Sequence, residues 1–505
     1  MLASSTISIN GLDFYHEWQE SNLANLKVFS CRPPARLYSA AARQDARESG
    51  TALPRESPKL SKLPNGVTVA SIENYSPVSR IAFVANAGSR YETGDNLGVT
   101  HCLRIASGLS TQGATAFGIT RNLEQIGANF TCSSSREYMF YTVNCLRDNL
   151  EVASNVLQQV TTAPTFKPWE LADIQERLKL DLAVLKSQPN AWTYDLLHQA
   201  AFRDTLGRSL YAPEYMIGKY NSEQLLHYMK TYYSTGRVAL VGVGVDHDEL
   251  VAQAQRFHPF SSAAIAADKA KYSGGELRVD TGGDLTYAAF AVEGPSPRNA
   301  ICRVGLGVVA SLDCRAAGTS WIRILSLAGK DLLHAAVLQN VMGMGPSIKY
   351  SLGSATSRLT QAAAQATPAP FAISCINANY TDGGLFGFFA VTQPSEMEKV
   401  LRAAFNQFAE VTKTGLEEKH VAVAKQQLKS QIGMYLETNE SQLQDLGEQA
   451  LGSDQVLTAT ELFKYVDQIN TSDVTAVAKK LVNGKPSMAA VGNLTRTPYL
   501  DDLLK

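Results

Sequence analysis

Three pairs of segments recur in the same order along this chain, and that duplication constrains its fold more than any other feature. The run Ile81-Ala-Phe-Val-Ala-Asn-Ala-Gly88 reads as a strand closing on a glycine turn, and Tyr287-Ala-Ala-Phe-Ala-Val-Glu-Gly294 repeats it. The strand Phe140 to Cys145 leads into a helix with apolar Leu150, Ala153, Val156, Leu157 and Val160 at helical spacing. Its counterpart, Phe386 to Thr392, leads into a helix with Met397, Val400, Leu401, Ala404, Phe405 and Phe408. Two short apolar strands closing on glycine, Arg237 to Gly242 and Ser487 to Gly492, end the series. The pattern predicts two copies of one α+β unit, over residues 56–270 and 276–505, with long helices packed on one face of each sheet. Between the first and second landmarks the spacing of the copies widens by about 40 residues, so the second copy carries an insert, placed at about 300–332. That stretch, Ala300 to Leu332, holds Trp321 and two cysteines and shows no clean strand or helix period.

Composition excludes several functions. The 46 Lys+Arg against 47 Asp+Glu leave a net charge of −1, without the basic excess of a nucleic-acid binder. The longest apolar runs, Val238 to Val245 and Val304 to Leu312, are far shorter than a membrane span, so membrane association is expected only through partners. Seven cysteines stand at 31, 102, 132, 145, 302, 314 and 375 with no C-x-x-C pair, which is neither a disulfide framework, a zinc ribbon nor a haem-attachment sequence.

Residues 1–55 differ from the rest. Arginines at 32, 36, 43 and 47 among small and hydroxylated residues resemble a mitochondrial transit peptide, although Asp13, Glu17 and Glu20 depart from presequence composition. Arg36-Leu-Tyr-Ser39 resembles a matrix cleavage site that would free Ser39, and Pro54, Pro58 and Pro64 punctuate a linker.

Three motifs carry a family resemblance: Leu63-Pro-Asn-Gly66, Ala87-Gly-Ser-Arg-Tyr-Glu92 and Leu97-Gly-Val-Thr-His-Cys-Leu-Arg-Ile105. In this order they resemble the pitrilysin-like family, which includes the mitochondrial processing peptidase subunits and the core proteins of ubiquinol–cytochrome c reductase. The resemblance implies two tandem pitrilysin-like domains of α+β class, each a mostly antiparallel sheet packed with helices. Active members carry H-x-x-E-H on the third motif, where positions i, i+3 and i+4 share a helix face: two histidines hold zinc, the glutamate activates water, and a downstream glutamate completes the ligands. Here His101 stands at the first ligand position, Arg104 replaces the glutamate, Ile105 replaces the second histidine, and Asp181 lies near the third ligand position.

The magnitudes oppose a zinc site. A complete structural ligand set gains ~10–16 kcal/mol. A guanidinium 4 Å from a dication costs roughly 8 kcal/mol at an effective dielectric of 20, twice the unit-charge value. Guanidinium also stays protonated and cannot act as a base. An Arg104–Asp181 ion pair is therefore the expectation, with no catalytic residue, no metal and no cofactor. The other seven histidines show no ligand spacing. Gly343-Met-Gly-Pro-Ser-Ile-Lys349 lacks the spacing of a phosphate loop, and in this family it stands where the noncatalytic processing-peptidase subunit has a longer glycine-rich substrate loop. That favours the core-protein branch. The branch implies a noncatalytic scaffold on the matrix side of the inner membrane. Its partners would be a related core subunit, cytochrome b, cytochrome c1 and the iron–sulfur protein, and it would hold no haem, cluster or quinone itself. The alternative is a noncatalytic, substrate-presenting subunit of a processing peptidase.

Overall fold

The computed structural model describes residues 57–260, 268–295, 330–345, 357–453 and 455–503, all within one compact unit, Arg55–Lys505. The Arg36–Ser39 cleavage site and residues 300–329 of the expected insert lie outside the described residues. The last three residues assigned to that insert open a regular helix, Lys330–Met342, so the irregular stretch ends sooner than its composition implied.

Eleven strands form two sheets among the described residues. The first contains β1 (Lys59–Lys62), β2 (Thr68–Ile72), β3 (Val78–Ala85), β4 (Asn129–Ser134), β5 (Met139–Leu146) and β6 (Val238–Val243), in the order β1-β2-β6-β3-β5-β4. The second contains β7 (Gly275–Asp280), β8 (Thr286–Glu293), β9 (Phe371–Asn379), β10 (Gly384–Thr392) and β11 (Pro486–Gly492), in the order β7-β11-β8-β10-β9. Apart from β1, the two orders superimpose strand for strand. In each sheet one pair is parallel, β2 with β6 and β7 with β11, and the remaining pairs are antiparallel. The three sequence landmarks therefore occupy equivalent places: β3 and β8, β5 and β10, β6 and β11.

Helices follow the same duplication. Leu150–Thr162 follows β5 and Met397–Thr414 follows β10, each turning the apolar stripe read from the sequence into the core, with Phe405 and Phe408 partly buried. Phe405 and Phe408 pack edge-on or stacked against Phe290, Phe386 and Phe388 of the second sheet.

The expectation of helices on one face only is overturned. Each sheet is covered on both faces, because its second face is covered by a helix from the other copy. Helix Pro189–Phe202 of the first copy lays Leu196, Leu197, Ala201 and Phe202 on Ala289, Ala291, Phe389, Ala489 and Val491 of the second sheet. Reciprocally, helix Asn439–Gly452 of the second copy lays Leu443, Leu446 and Ala450 on Ala70, Val84, Phe140, Ala239 and Val241 of the first sheet. Strands buried on both sides read as continuous apolar runs, which is why β6 is buried along its whole length. Each fully buried leucine of this packing contributes roughly 1.5–3 kcal/mol.

Candidate functional site

The sequence motif Leu97 to Ile105 becomes the helix Val99–Ala106. Gly98 precedes it at φ +80, a conformation that side chains rarely adopt, and a Cβ there would stand 2.4 Å from both the Ala212 Cα and the Tyr220 hydroxyl. The first turn lacks a side-chain cap from Gly98 itself. Glu92 supplies one instead: its carboxylate accepts from the Gly98 N–H at 2.7 Å, the Thr100 N–H at 3.0 Å and the Thr100 hydroxyl at 2.6 Å. Burial outweighs these bonds and pushes the Glu92 carboxyl up to about 7.

His101 is completely buried. Its Nδ1 accepts from the Ala212 N–H at 3.1 Å, so the ring proton sits on Nε2, which donates to Asp181 Oδ2 at 3.2 Å. Arg104 Nη2 donates to the same oxygen at 3.1 Å. Asp181 is carried by helix Gln175–Ser187, which anchors itself through Leu178 and Leu185 on either side of it. Tyr211 closes the cluster, edge-on to the His101 ring at 5.2 Å and beneath the Arg104 guanidinium at 5.5 Å. Ile105, one turn on from His101, is apolar, makes no bond to the cluster and packs against the first copy's hydrophobic core. The structure thus brings His101, Arg104 and Asp181 together and leaves Ile105 outside.

Electrostatics fix the charge states. Desolvation, reinforced by Arg104, lowers the His101 pKa against the pull of Asp181, and the hydrogen bond from His101 together with Arg104 holds Asp181 below the usual carboxylate range. At neutral pH the cluster is a neutral imidazole and a guanidinium sharing one carboxylate oxygen. Both ring nitrogens of His101 are engaged, Nδ1 accepting and Nε2 donating, so the imidazole has no free lone pair to offer a cation, and the Arg104 guanidinium offers only donors. Among the described residues no group of three or more His, Cys, Asp and Glu could hold a metal ion. These residues do not fit zinc, and nothing at position 104 can activate water.

Two contributors were not legible as site residues. Tyr211 carries no motif signal, and Glu92 lies in a quoted motif whose spacing gives no hint that it caps a helix six residues on. The cysteines at 102, 132, 145 and 375 are unpaired; burial pushes the Cys102 and Cys132 thiols up to about 12, so neither is a nucleophile at neutral pH.

Two family models match the chain: Insulinase (Peptidase family M16) over residues 68–214, which contain this cluster, and Peptidase M16 inactive domain over residues 219–428. The chain is 39% identical over 447 residues to the Homo sapiens protein named cytochrome b-c1 complex subunit 2, mitochondrial, covering 88% of this chain and 92% of that one. The chain belongs to peptidase family M16. The Mus musculus protein of the same name is 37% identical over 459 residues, covering 91% of this chain and 94% of its own. The Arabidopsis thaliana protein named probable mitochondrial-processing peptidase subunit alpha-1, mitochondrial, is 27% identical over 454 residues, covering 88% of this chain and 84% of its own. The inactive-domain model begins upstream of β6, a strand that the first sheet needs for its centre, so the M16 model boundaries and the sheet boundaries differ.

Proposed function

We propose that this chain is the second core subunit of mitochondrial ubiquinol–cytochrome c reductase, a noncatalytic scaffold that supports electron transfer from ubiquinol to cytochrome c by assembly. One observation carries the reading: identity of 37–39% over about nine-tenths of the chain to cytochrome b-c1 complex subunit 2 of Homo sapiens, Mus musculus and Rattus norvegicus. The processing-peptidase alpha subunits stand at 27–28%, which makes the substrate-presenting role the weaker alternative. In this reading the cluster is a degenerate H-x-x-E-H site, with His101 retained, Arg104 for the glutamate, Ile105 for the second histidine and Asp181 at the third ligand position. The described cluster supports it, because an ion pair occupies the place where a metal and its water would act.

The reading places the chain on the matrix face of the inner membrane, held there by a related core subunit and by cytochrome b, cytochrome c1 and the iron–sulfur protein. It divides the chain into a targeting segment and linker at 1–55 and copies at 56–270 and 276–505, with import cleavage between Arg36 and Ser39. The test is affinity purification of the tagged chain from mitochondria in mild detergent, followed by mass spectrometry. Copurification with cytochrome b and a mature N-terminus near Ser39 are expected. A soluble heterodimer that cleaves presequence peptides would overturn the scaffold assignment.

A further inference from the structure

The turns that close the edge hairpins of the two copies meet. In the first copy, residues 135–138 join β4 to β5; in the second, residues 380–383 join β9 to β10. Between them lies the single turn of 3-10 helix Ser89–Tyr91. Arg90 is its centre, with a side chain only 3% exposed. One of its terminal nitrogens donates to Glu137 Oε1 at 2.6 Å, Thr381 Oγ1 at 2.9 Å and Asp382 Oδ1 at 3.1 Å; the other donates to Asp382 Oδ2 at 2.7 Å and the Asp268 carbonyl at 2.9 Å. The Asp382 contact is the bidentate fork that fixes both partners in angle as well as distance.

The same turn is pinned to the first copy by its backbone. The N–H groups of Gly88, Ser89 and Arg90 donate to the carbonyls of Glu137, Ser135 and Arg136. Gly88 is required for that approach, since a Cβ there would lie 2.4 Å from the Arg136 carbonyl carbon. Immediately after the turn comes Glu92, whose carboxylate caps the helix that carries His101 and Arg104. Two residues apart on one short rigid turn, Arg90 grips the second copy and Glu92 holds the start of the site helix.

We propose that Ser89–Glu92 is a mechanical coupling between the junction of the two copies and the Val99–Ala106 helix, so that loosening the grip on Asp382 loosens the cap on that helix. Its physical basis is contiguity: covalent continuity through Tyr91, three backbone hydrogen bonds that hold the turn against the first sheet, and the buried Arg90 and Glu137, whose side chains have little access to water that could replace a lost partner; Asp382 itself is half-buried.

The test is amide hydrogen exchange by mass spectrometry on the full chain carrying Asp382→Asn, which keeps an acceptor and removes the charge. Thr381→Val, which deletes a hydroxyl bonded to both Arg90 and Glu137 without changing charge, serves if Asp382→Asn does not fold. Exchange is expected to accelerate at least about tenfold at residues 380–383 and also at 98–106, while helix Met397–Thr414 of the second copy keeps its protection. The combined variant with Glu92→Gln is expected to add less than threefold to exchange at 98–106, because the two changes act on one link. Acceleration confined to 380–383 would overturn the coupling, as would acceleration spread evenly over the chain or full multiplicative effects of the two substitutions.

Discussion

Replacing His101 by glutamine tests the charge state assigned to the buried cluster. Glutamine offers a carbonyl oxygen to the Ala212 N–H and an amide N–H to Asp181, reproducing the two bonds of the neutral imidazole without a titrating group. The His101 pKa in the folded chain lies below its ordinary 6.5. The unfolded chain therefore binds a proton that the folded chain refuses, and the stability from this group is complete above pH 6.5 and falls as pH drops below it. The loss between pH 7.5 and 5.5 is bounded at about 1.4 kcal/mol, the decade of proton binding that an unfolded imidazole of ordinary pKa gains over this range. His198 and His247 are depressed too and titrate in the same direction, but they remain in the variant and cancel in the comparison. Asp181 titrates below 3.8 and does not enter this window. The assay is urea unfolding of both proteins at pH 7.5, 6.5 and 5.5, followed by tryptophan fluorescence with slopes compared at each pH. The wild type is expected to lose up to about 1.4 kcal/mol more than His101→Gln on acidification. Parallel losses would refute the buried neutral imidazole, and a wild type that gains on the variant would show a protonated His101 paired with Asp181.

Arg104→Glu alone is expected to give neither presequence cleavage nor stoichiometric zinc in metal analysis, since position 105 still supplies no ligand; measurable cleavage would contradict the account of the site. Leu446→Ala in the exchanged helix, fully buried on the first sheet, is expected to destabilise the chain by about 2–5 kcal/mol in urea titration. Gly447→Val places a Cβ 2.9 Å from Val84 Cγ2 and about as close to the Phe140 ring, and is expected to cost about 1–3 kcal/mol by the same assay. Glu92→Ala uncaps Gly98 and Thr100 and is expected to cost about 1–3 kcal/mol, with amide protection lost first in the turn after Gly98.

What the sequence disclosed follows the range of the interactions involved. Strand identity and the duplication were legible because alternation, glycine turns and helical stripes are local patterns, and each recurs intact in β3 and β8, β5 and β10, β6 and β11. The position of Asp181 was legible through a family spacing. The partners of helix Pro189–Phe202 were not: Leu196, Leu197 and Ala201 announce burial, but nothing in their pattern names the sheet they cover. The number of layers per copy failed for that reason. Arg90 and Glu92 illustrate a second limit. Both stand in a motif, yet their partners are a turn nearly three hundred residues away and a set of backbone N–H groups, neither of which leaves a mark in side-chain periodicity.

The exchange of helices also sets the order in which this chain can finish folding. Leu446 meets Val84 across a gap of more than 350 residues, so the outer face of the first sheet has no cover until nearly the whole chain is available. For a polypeptide threaded N-terminus first into a compartment, Ala70, Val84, Phe140, Ala239 and Val241 wait as one apolar surface while the second copy is still arriving. Contacts of such separation slow folding and prolong the lifetime of sticky intermediates. A chain truncated before Asn439 keeps every strand of its first sheet and still presents that surface permanently, which makes chaperone retention and aggregation, rather than a stable half-molecule, the expected fate of early stops.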